Sequence, residues 1–272
     1  MSITYVTSFY DIGRKTEKKD IKFENYFEWI NNLLTIPINL CFFTTKELHD
    51  QLNYEPRENL IFIFKEELPF FDKLDQIKQL WSKYETNNSQ KDTPEFICII
   101  NGKFIWLLEA IKRNYFNSSH YGWIDAGILK VALNPENLIL ITPPDKIKCL
   151  LLNYIDSKEI INPCFVLSCK YKIAAGLFIG PKELMKNMSN LLIQHFLFYM
   201  DNGYVGLEQE YIAIIYKKYS HMFDPYYGDF SDLFRNFYRC VGSRWLVDKN
   251  LENARNNNDK LEISRLENYL KN

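Results

Sequence analysis

No CxxC pair occurs among the six cysteines at 41, 98, 149, 164, 169 and 240, and the closest pair, Cys164 and Cys169, has no matching partner pair. Most lie in apolar runs such as Leu40-Cys41-Phe42 and Phe96-Ile97-Cys98-Ile99. This suits buried free thiols in a reducing compartment better than disulfides or zinc. No GxSxG, GxxxxGK[ST] or GxGxxG stretch is present, so hydrolase, P-loop and dinucleotide readings lose most of their support. The four histidines, 49, 120, 195 and 221, form no HxxxH or HxH pair. No apolar run approaches the roughly 18–20 residues that span a bilayer, and MSITYVTSFYDIGR lacks a basic start followed by an apolar core and cleavage site. The expectation is a soluble cytoplasmic protein without a transmembrane segment. The net charge of −1 offers no basic excess for phosphate backbones, which argues against nucleic acid as the main partner.

Apolar residues make up 47% of the 272, enough for a sizeable core. Aromatics are heavy at 16%, with 20 Phe and 18 Tyr. A/T-rich codon usage explains this; an aromatic-lined groove for a sugar or a base explains it too.

No repeat and no Pro/Gly/Ser linker divides the chain. The spacing predicts strands at 3–8, 38–43, 60–64 and 120–124, with helices at 23–35, 45–52, 70–84 and 94–114 between them. Residues 87–93 form a polar loop. Pro94 sits where a helix start tolerates it. This alternation implies a mostly parallel central sheet flanked by helices, with ligands at the C-terminal strand ends. The second half is more mixed. Residues 138–141 and 165–167 read as strands, 173–180 as a strand broken by Gly176, and 181–200 and 207–219 as helices. From about Arg244 the chain is polar with sparse apolar residues, an exposed helix or hairpin. The expected division is residues 1–243 as the catalytic-type domain and 244–272 as a C-terminal helical extension.

Trp123-Ile124-Asp125-Ala126-Gly127 puts a carboxylate at a strand mouth, beside two small residues that admit a ligand or another backbone. Asp125 could hold ribose hydroxyls, hold Mg²⁺ or Mn²⁺ on a diphosphate, or simply cap the next turn. Ser8-Phe9-Tyr10-Asp11-Ile12-Gly13-Arg14 is a second strand-end loop. Arg14 could clamp a phosphate, and Asp11 could take a ribose or a base imide; the alternative is a tight turn with a surface ion pair. In Asn101-Gly102-Lys103, glycine inside a helix suggests close packing, and Lys103 either neutralises a diphosphate or is solvated surface. Ala174 to Gly180 is a small-residue strand against which a sugar could lie, or a tightly packed core strand. Glu208 is a helix-start acid favoured by the dipole or a general base for an acceptor hydroxyl. Among the histidines His221 draws most interest, as it precedes Met222-Phe223-Asp224-Pro225-Tyr226-Tyr227-Gly228-Asp229.

In this order these segments resemble the HtrL/YibB family of bacterial and viral proteins. The likeness rests on Val6 to Arg14, on Pro94-Glu95-Phe96 with Lys103, and on Trp123 to Gly127. Gly176…Gly180, Glu208-Gln209 and Tyr227-Gly228-Asp229 support it. It spans roughly residues 3–235. That family is similar to glycosyltransferases of the GT-A fold, so the resemblance implies an α/β, GT-A-like (Rossmann-like) sheet with a C-terminal helical tail. It implies a UDP-sugar donor bound by Thr7, Phe9, Asp11, Arg14, Lys103, Asp125, Gly127, Gly176 and Gln209. Glu208 and Asp125 would be catalytic, with Glu208 as base for inverting direct displacement. The acceptor would be a glycan, a glycolipid or a protein. Mn²⁺ or Mg²⁺ would sit at Asp125, alone or with His221 or Asp229. Such enzymes use an Asp-x-Asp element, and Asp125-Ala126-Gly127 lacks the second acid, which weakens the metal expectation. A homo-oligomer through the C-terminal helix, or a catalytically inactive nucleotide- or sugar-binding module, are the remaining expectations.

Overall fold

The computed structural model describes residues 2–13, 23–83, 92–132, 134–237 and 242–271. Arg14, Cys240 and most of the 87–93 loop lie outside them. Strand β1 (Ile3–Ser8) leads to helix α1 (Phe23–Leu34), β2 (Asn39–Thr44), the short α2 (Lys46–His49) and β3 (Leu60–Phe64). A 3-10 turn at Phe71–Lys73 leads into α3 (Leu74–Trp81), and α4 (Pro94–Arg113) precedes β4 (His120–Ile124). These follow the expected alternation within a residue or two, apart from the 45–52 helix, which stops at His49, and the 70–84 helix. Its first turn is 3-10, because Phe70 takes a left-handed conformation (φ 64°).

Capping explains the boundaries of α4. The Thr93 hydroxyl accepts from Phe96 N at 3.2 Å, Pro94 occupies the first turn, and Asn114 ends the helix in the left-handed region.

The second half brings corrections. Residues 138–141 are not a strand: helix α5 (Asn137–Leu140) occupies them. Residues 165–167 belong to a 3-10 helix, Pro163–Leu167, started by Pro163 and capped by Asn162 Oδ1 accepting from Cys164 N at 3.0 Å. Both runs are too short for apolar patterning to separate helix from strand. The strands there are β5 (Lys148–Leu151), β6 (Ile173–Pro181) and β7 (Tyr226–Tyr227). Helices α6 (Lys182–Asp201) and α7 (Glu208–Lys218) match expectation, and the C-terminal segment is a hairpin of α8 (Arg244–Asn256) and α9 (Lys260–Lys271).

Among the described residues the strands form one seven-stranded sheet, ordered β3-β2-β1-β4-β6-β5-β7. Strand β6 runs antiparallel to both its neighbours, β4 and β5; the other pairings are parallel. Alternation divides the core between the two faces. Val6, Cys41 and Phe43 join the cluster under α4, α6 and α7, whereas Tyr5, Leu40 and Phe42 join the cluster under α1. The C-terminal hairpin closes the first cluster, burying Val247, Leu251, Ala254 and Leu266.

From β1 the chain winds outward through β2 to β3, then returns to β4 on β1's other side. The crevice between the ends of β1 and β4 is therefore the topological switch point, where open α/β sheets bind ligands. Strand β6 does not break at Gly176. It bulges: Cys149 faces Phe178 but the next residue, Leu150, faces Ala174, so Ala175–Leu177 lose their β5 partners.

Candidate active site

The expected segments converge on that crevice. Phe9, Tyr10 and Asp11 extend from β1, Asp125 to Gly127 from β4, Ala175 and Gly176 from the β6 bulge, and Glu208 and Gln209 from the start of α7. They line a cavity of about 470 Å³, the size of a small-molecule site. Aromatic rings flank it: Phe9 stacks on Tyr26 at 5.9 Å on one rim, and Tyr171 meets Phe230 edge-on at 6.4 Å on another.

Lys103 organises the floor. It projects from α4, is only 2% exposed, and gives each of its three N–H groups a protein acceptor: Glu208 Oε1 at 2.8 Å, Ala175 O at 3.1 Å and Asp125 Oδ1 at 3.3 Å. Its ammonium also lies 5.3 Å from the centre of the Trp123 ring. Burial pushes the Lys103 pKa down, but the carboxylates of Asp125 and Glu208 outweigh burial, and the net shift is upward. Glu208 is held above the usual carboxylate range by burial, partly offset by Lys103.

The neighbouring residues in Asn101-Gly102-Lys103 hold this lysine in place. Asn101 Nδ2 donates to Gly206 O at 3.2 Å, tying α4 to the segment before Glu208. A Cβ on Gly102 would come within 2.7 Å of Pro69 Cβ, so this glycine serves the close packing that its helical position suggested. Gly206 is stricter: its Cβ would fall 1.7 Å from Val166 O.

Asp125 is the open member, with 46% of its side chain exposed. Its Oδ1 accepts from Trp123 Nε1 at 2.6 Å as well as from Lys103. Its Oδ2 lies at the Gly176 face, 3.2 Å from where a Gly176 Cβ would sit. Gly127 likewise brings Tyr26 close, since a Cβ there would meet the ring at 3.1 Å. Asp11 is exposed, and its Oδ1 accepts from Gly13 N at 2.8 Å; the tight turn and the cavity edge are one feature. Gln209 Nε2 donates to Cys169 Sγ at 2.9 Å, making Cys169 part of the rim.

Three expected residues are elsewhere. Thr7 lies one residue short of the strand end, is fully buried between β2 and β4, and does not line the cavity. His221 is exposed beyond the C-terminal end of α7. Glu208 is at that helix's other end, roughly 16 Å away at 1.5 Å per residue, so His221 cannot join Asp125 on one ion. Asp229 Oδ1 caps a 3-10 turn by accepting from Phe230 N at 2.7 Å. The described residues therefore do not fit a protein-held divalent ion: none brings three His, Cys, Asp or Glu side chains together for one, and Glu208 is engaged by Lys103. Residues that sequence reasoning passed over include Tyr10, Tyr26, Tyr171 and Phe230, which only the aromatic excess hinted at, and Lys130.

No helix among the described residues is long and apolar enough to cross a membrane. Cysteines 41, 98 and 149 are buried and free as expected, while Cys164 is free but exposed.

Two solved structures resemble the chain over most of their length. One is mouse xyloside xylosyltransferase 1 in its apo form, at 12% identity and a TM-score of 0.40, covering 89% of this chain and 95% of that one. The other is 4-diphosphocytidyl-2C-methyl-D-erythritol synthase from Anaerococcus prevotii DSM 20548, at 9% identity and a TM-score of 0.38, covering 92% and 95%. The sequence is 22% identical over 265 residues to Protein HtrL of Escherichia coli (strain K12), covering 87% of this chain and 92% of the other. The family described as a bacterial protein of unknown function, HtrL_YibB, matches residues 1–239. The chain belongs to the HtrL/YibB family.

Proposed function

We propose that the crevice binds a nucleotide-sugar, UDP-linked, and that the protein is a GT-A-like glycosyltransferase acting on an acceptor hydroxyl. The observation that carries this reading is the pair of carboxylates, Asp125 and Glu208, held by one buried lysine at the switch-point mouth. Aromatic faces beside Asp11 suit a base and ribose, and the bare Gly176 backbone leaves room for a sugar next to Asp125 Oδ2. Glu208 is the base. It takes the acceptor's proton as the acceptor oxygen bonds to the anomeric carbon, and the bond from that carbon to the diphosphate breaks, releasing UDP. Such displacement inverts the anomeric centre. Because burial raises the Glu208 pKa, activity rises with pH through a value above the ordinary glutamate range. Lys103 has no N–H left for the diphosphate, so it acts by positioning the two acids.

The test is hydrolysis and binding across a panel of UDP-sugars, with Asp125→Ala as control. Turnover by wild type and none by the variant supports the enzyme. Binding of no nucleotide-sugar at all would sink the proposal. A nucleotide- or sugar-binding module without catalysis is the second reading, favoured by the single acid of Asp125-Ala126-Gly127. Binding without turnover by wild type decides for it.

A further inference from the structure

We propose that the cation position of this crevice is filled by the chain itself: the Lys103 ammonium stands where a divalent ion would, and the site takes its nucleotide without metal. The nucleotide half rests on the function proposed above; the cation half rests on the geometry alone. Three oxygens from three elements converge on Lys103 Nζ: Asp125 Oδ1 after β4, Ala175 O in the β6 bulge and Glu208 Oε1 on α7. Two carboxylates and a carbonyl are the hard oxygen donors that Mg²⁺, Mn²⁺ or Ca²⁺ prefer.

The distances of 2.8–3.3 Å are those of an ammonium with one acceptor per N–H. The bulge contributes directly, because it leaves Ala175 without a β5 partner and its carbonyl meets the lysine. An ion added at Asp125 Oδ2 would gain one protein oxygen while sitting beside a fixed positive charge. One ammonium against two carboxylates leaves a single net negative charge, so an anionic diphosphate meets less repulsion than two bare acids would give. This also suits Gly127 where a second acid would stand: the lysine offsets one of the two carboxylate charges, and no further acid adds to the one that remains.

The test titrates Mn²⁺, followed by its electron paramagnetic resonance, into the free wild-type protein and into Lys103→Ala. UDP affinity is measured separately with EDTA and with Mn²⁺. The expected results are no bound Mn²⁺ in wild type, one bound Mn²⁺ in Lys103→Ala that is lost when Asp125→Asn is added, and UDP affinity unchanged by EDTA. A Mn²⁺ bound by wild type and lost in Asp125→Asn overturns the proposal. So does a fall in UDP affinity of about tenfold or more (~1.4 kcal/mol) in EDTA, or a folded Lys103→Ala protein that takes up no Mn²⁺. If the alanine variant does not fold, the wild-type titrations still decide. If wild type binds no UDP, the function proposed above fails, and the Mn²⁺ titrations judge the cation position by themselves.

Discussion

Two of the regions that bury charge treat it differently. At the C-terminal hairpin, Glu262 accepts from Tyr216 and Tyr227 hydroxyls, each at 2.7 Å, so both its oxygens are used. Arg265 donates to the Tyr216 hydroxyl and to the carbonyls of Ser220 and Phe223, and Lys217 meets Asp259 at 2.6 Å. At the crevice, Lys103 is as fully engaged, yet Asp125 turns one oxygen to an open cavity. The hairpin network also borders a cavity, lined by Tyr216, Lys217, Asp259, Glu262 and Arg265, but it spends its donors and acceptors on one another, as buried polar networks do when they hold structure together. The crevice network is closed on one side only, as a binding site must be. The predictions that follow set the two regions against each other.

The largest effect should come from the hairpin. Removing residues 244–272 exposes the core that Leu246, Val247, Leu251 and Leu266 cover. At roughly 1.5–3 kcal/mol for each buried aliphatic side chain, the four together approach the whole stability of a domain, about 5–15 kcal/mol. The truncated chain should show no cooperative melting transition by circular dichroism. A folded truncation that still binds nucleotide would instead make the hairpin an accessory, used for a partner or a second copy.

Lys103→Met comes next. It leaves Asp125 and Glu208 without their cation, and stranding one side of a buried ion pair costs about 3–5 kcal/mol. The loss should shrink as pH falls, because protonated Glu208 no longer needs the counter-charge. Chemical denaturation at two pH values measures this. An equal loss at both would mean that the lysine matters for packing rather than charge. Smaller still is Gly176→Ala, whose Cβ would lie 2.8 Å from Ile128 Cδ1 and 3.2 Å from Asp125 Oδ2. Ile128 can give way, so the overpacking cost is about 1–3 kcal/mol at most. UDP-sugar turnover should fall further than stability does. Equal falls would remove Gly176 from the site.

What was legible beforehand follows the range of the forces involved. Strand β1, the capped helix α4 and the strand running into Asp125 carry local signals, and each came out in place. So did the position of Asp125 and Asp11 at strand ends, which follows from chain order. The partnership of Lys103 with Glu208 spans 105 residues of sequence and depends on the phase of one helix against the start of another. No local pattern encodes that. Thr7 misled because one residue's offset within a strand decides between a buried position and the mouth. His221 misled because its nearness to Asp229 in sequence said nothing of the length of α7 that separates it from the crevice. Strands β5 and β7, of four and two residues, are too short to show a period.

The smallest prediction tests where the boundary of the site lies. Glu210 is two residues from Glu208 on α7 and is buried. Its Oε1 accepts from Lys170 N and Gln209 Nε2, both at 3.2 Å, while Oε2 has no hydrogen-bond partner. Burial raises its pKa well above the usual value. The folded protein therefore binds this proton more tightly than the unfolded chain does. Stability falls as pH rises from the ordinary glutamate pKa through the raised one. Glu210→Gln keeps both accepted hydrogen bonds and never ionises. It should leave stability at pH 4 unchanged and raise it at pH 8. UDP-sugar binding should not move, since Glu210 does not line the cavity. A change in binding without a change in the pH slope would extend the crevice to include Glu210 and make its unpaired oxygen part of the ligand's reach.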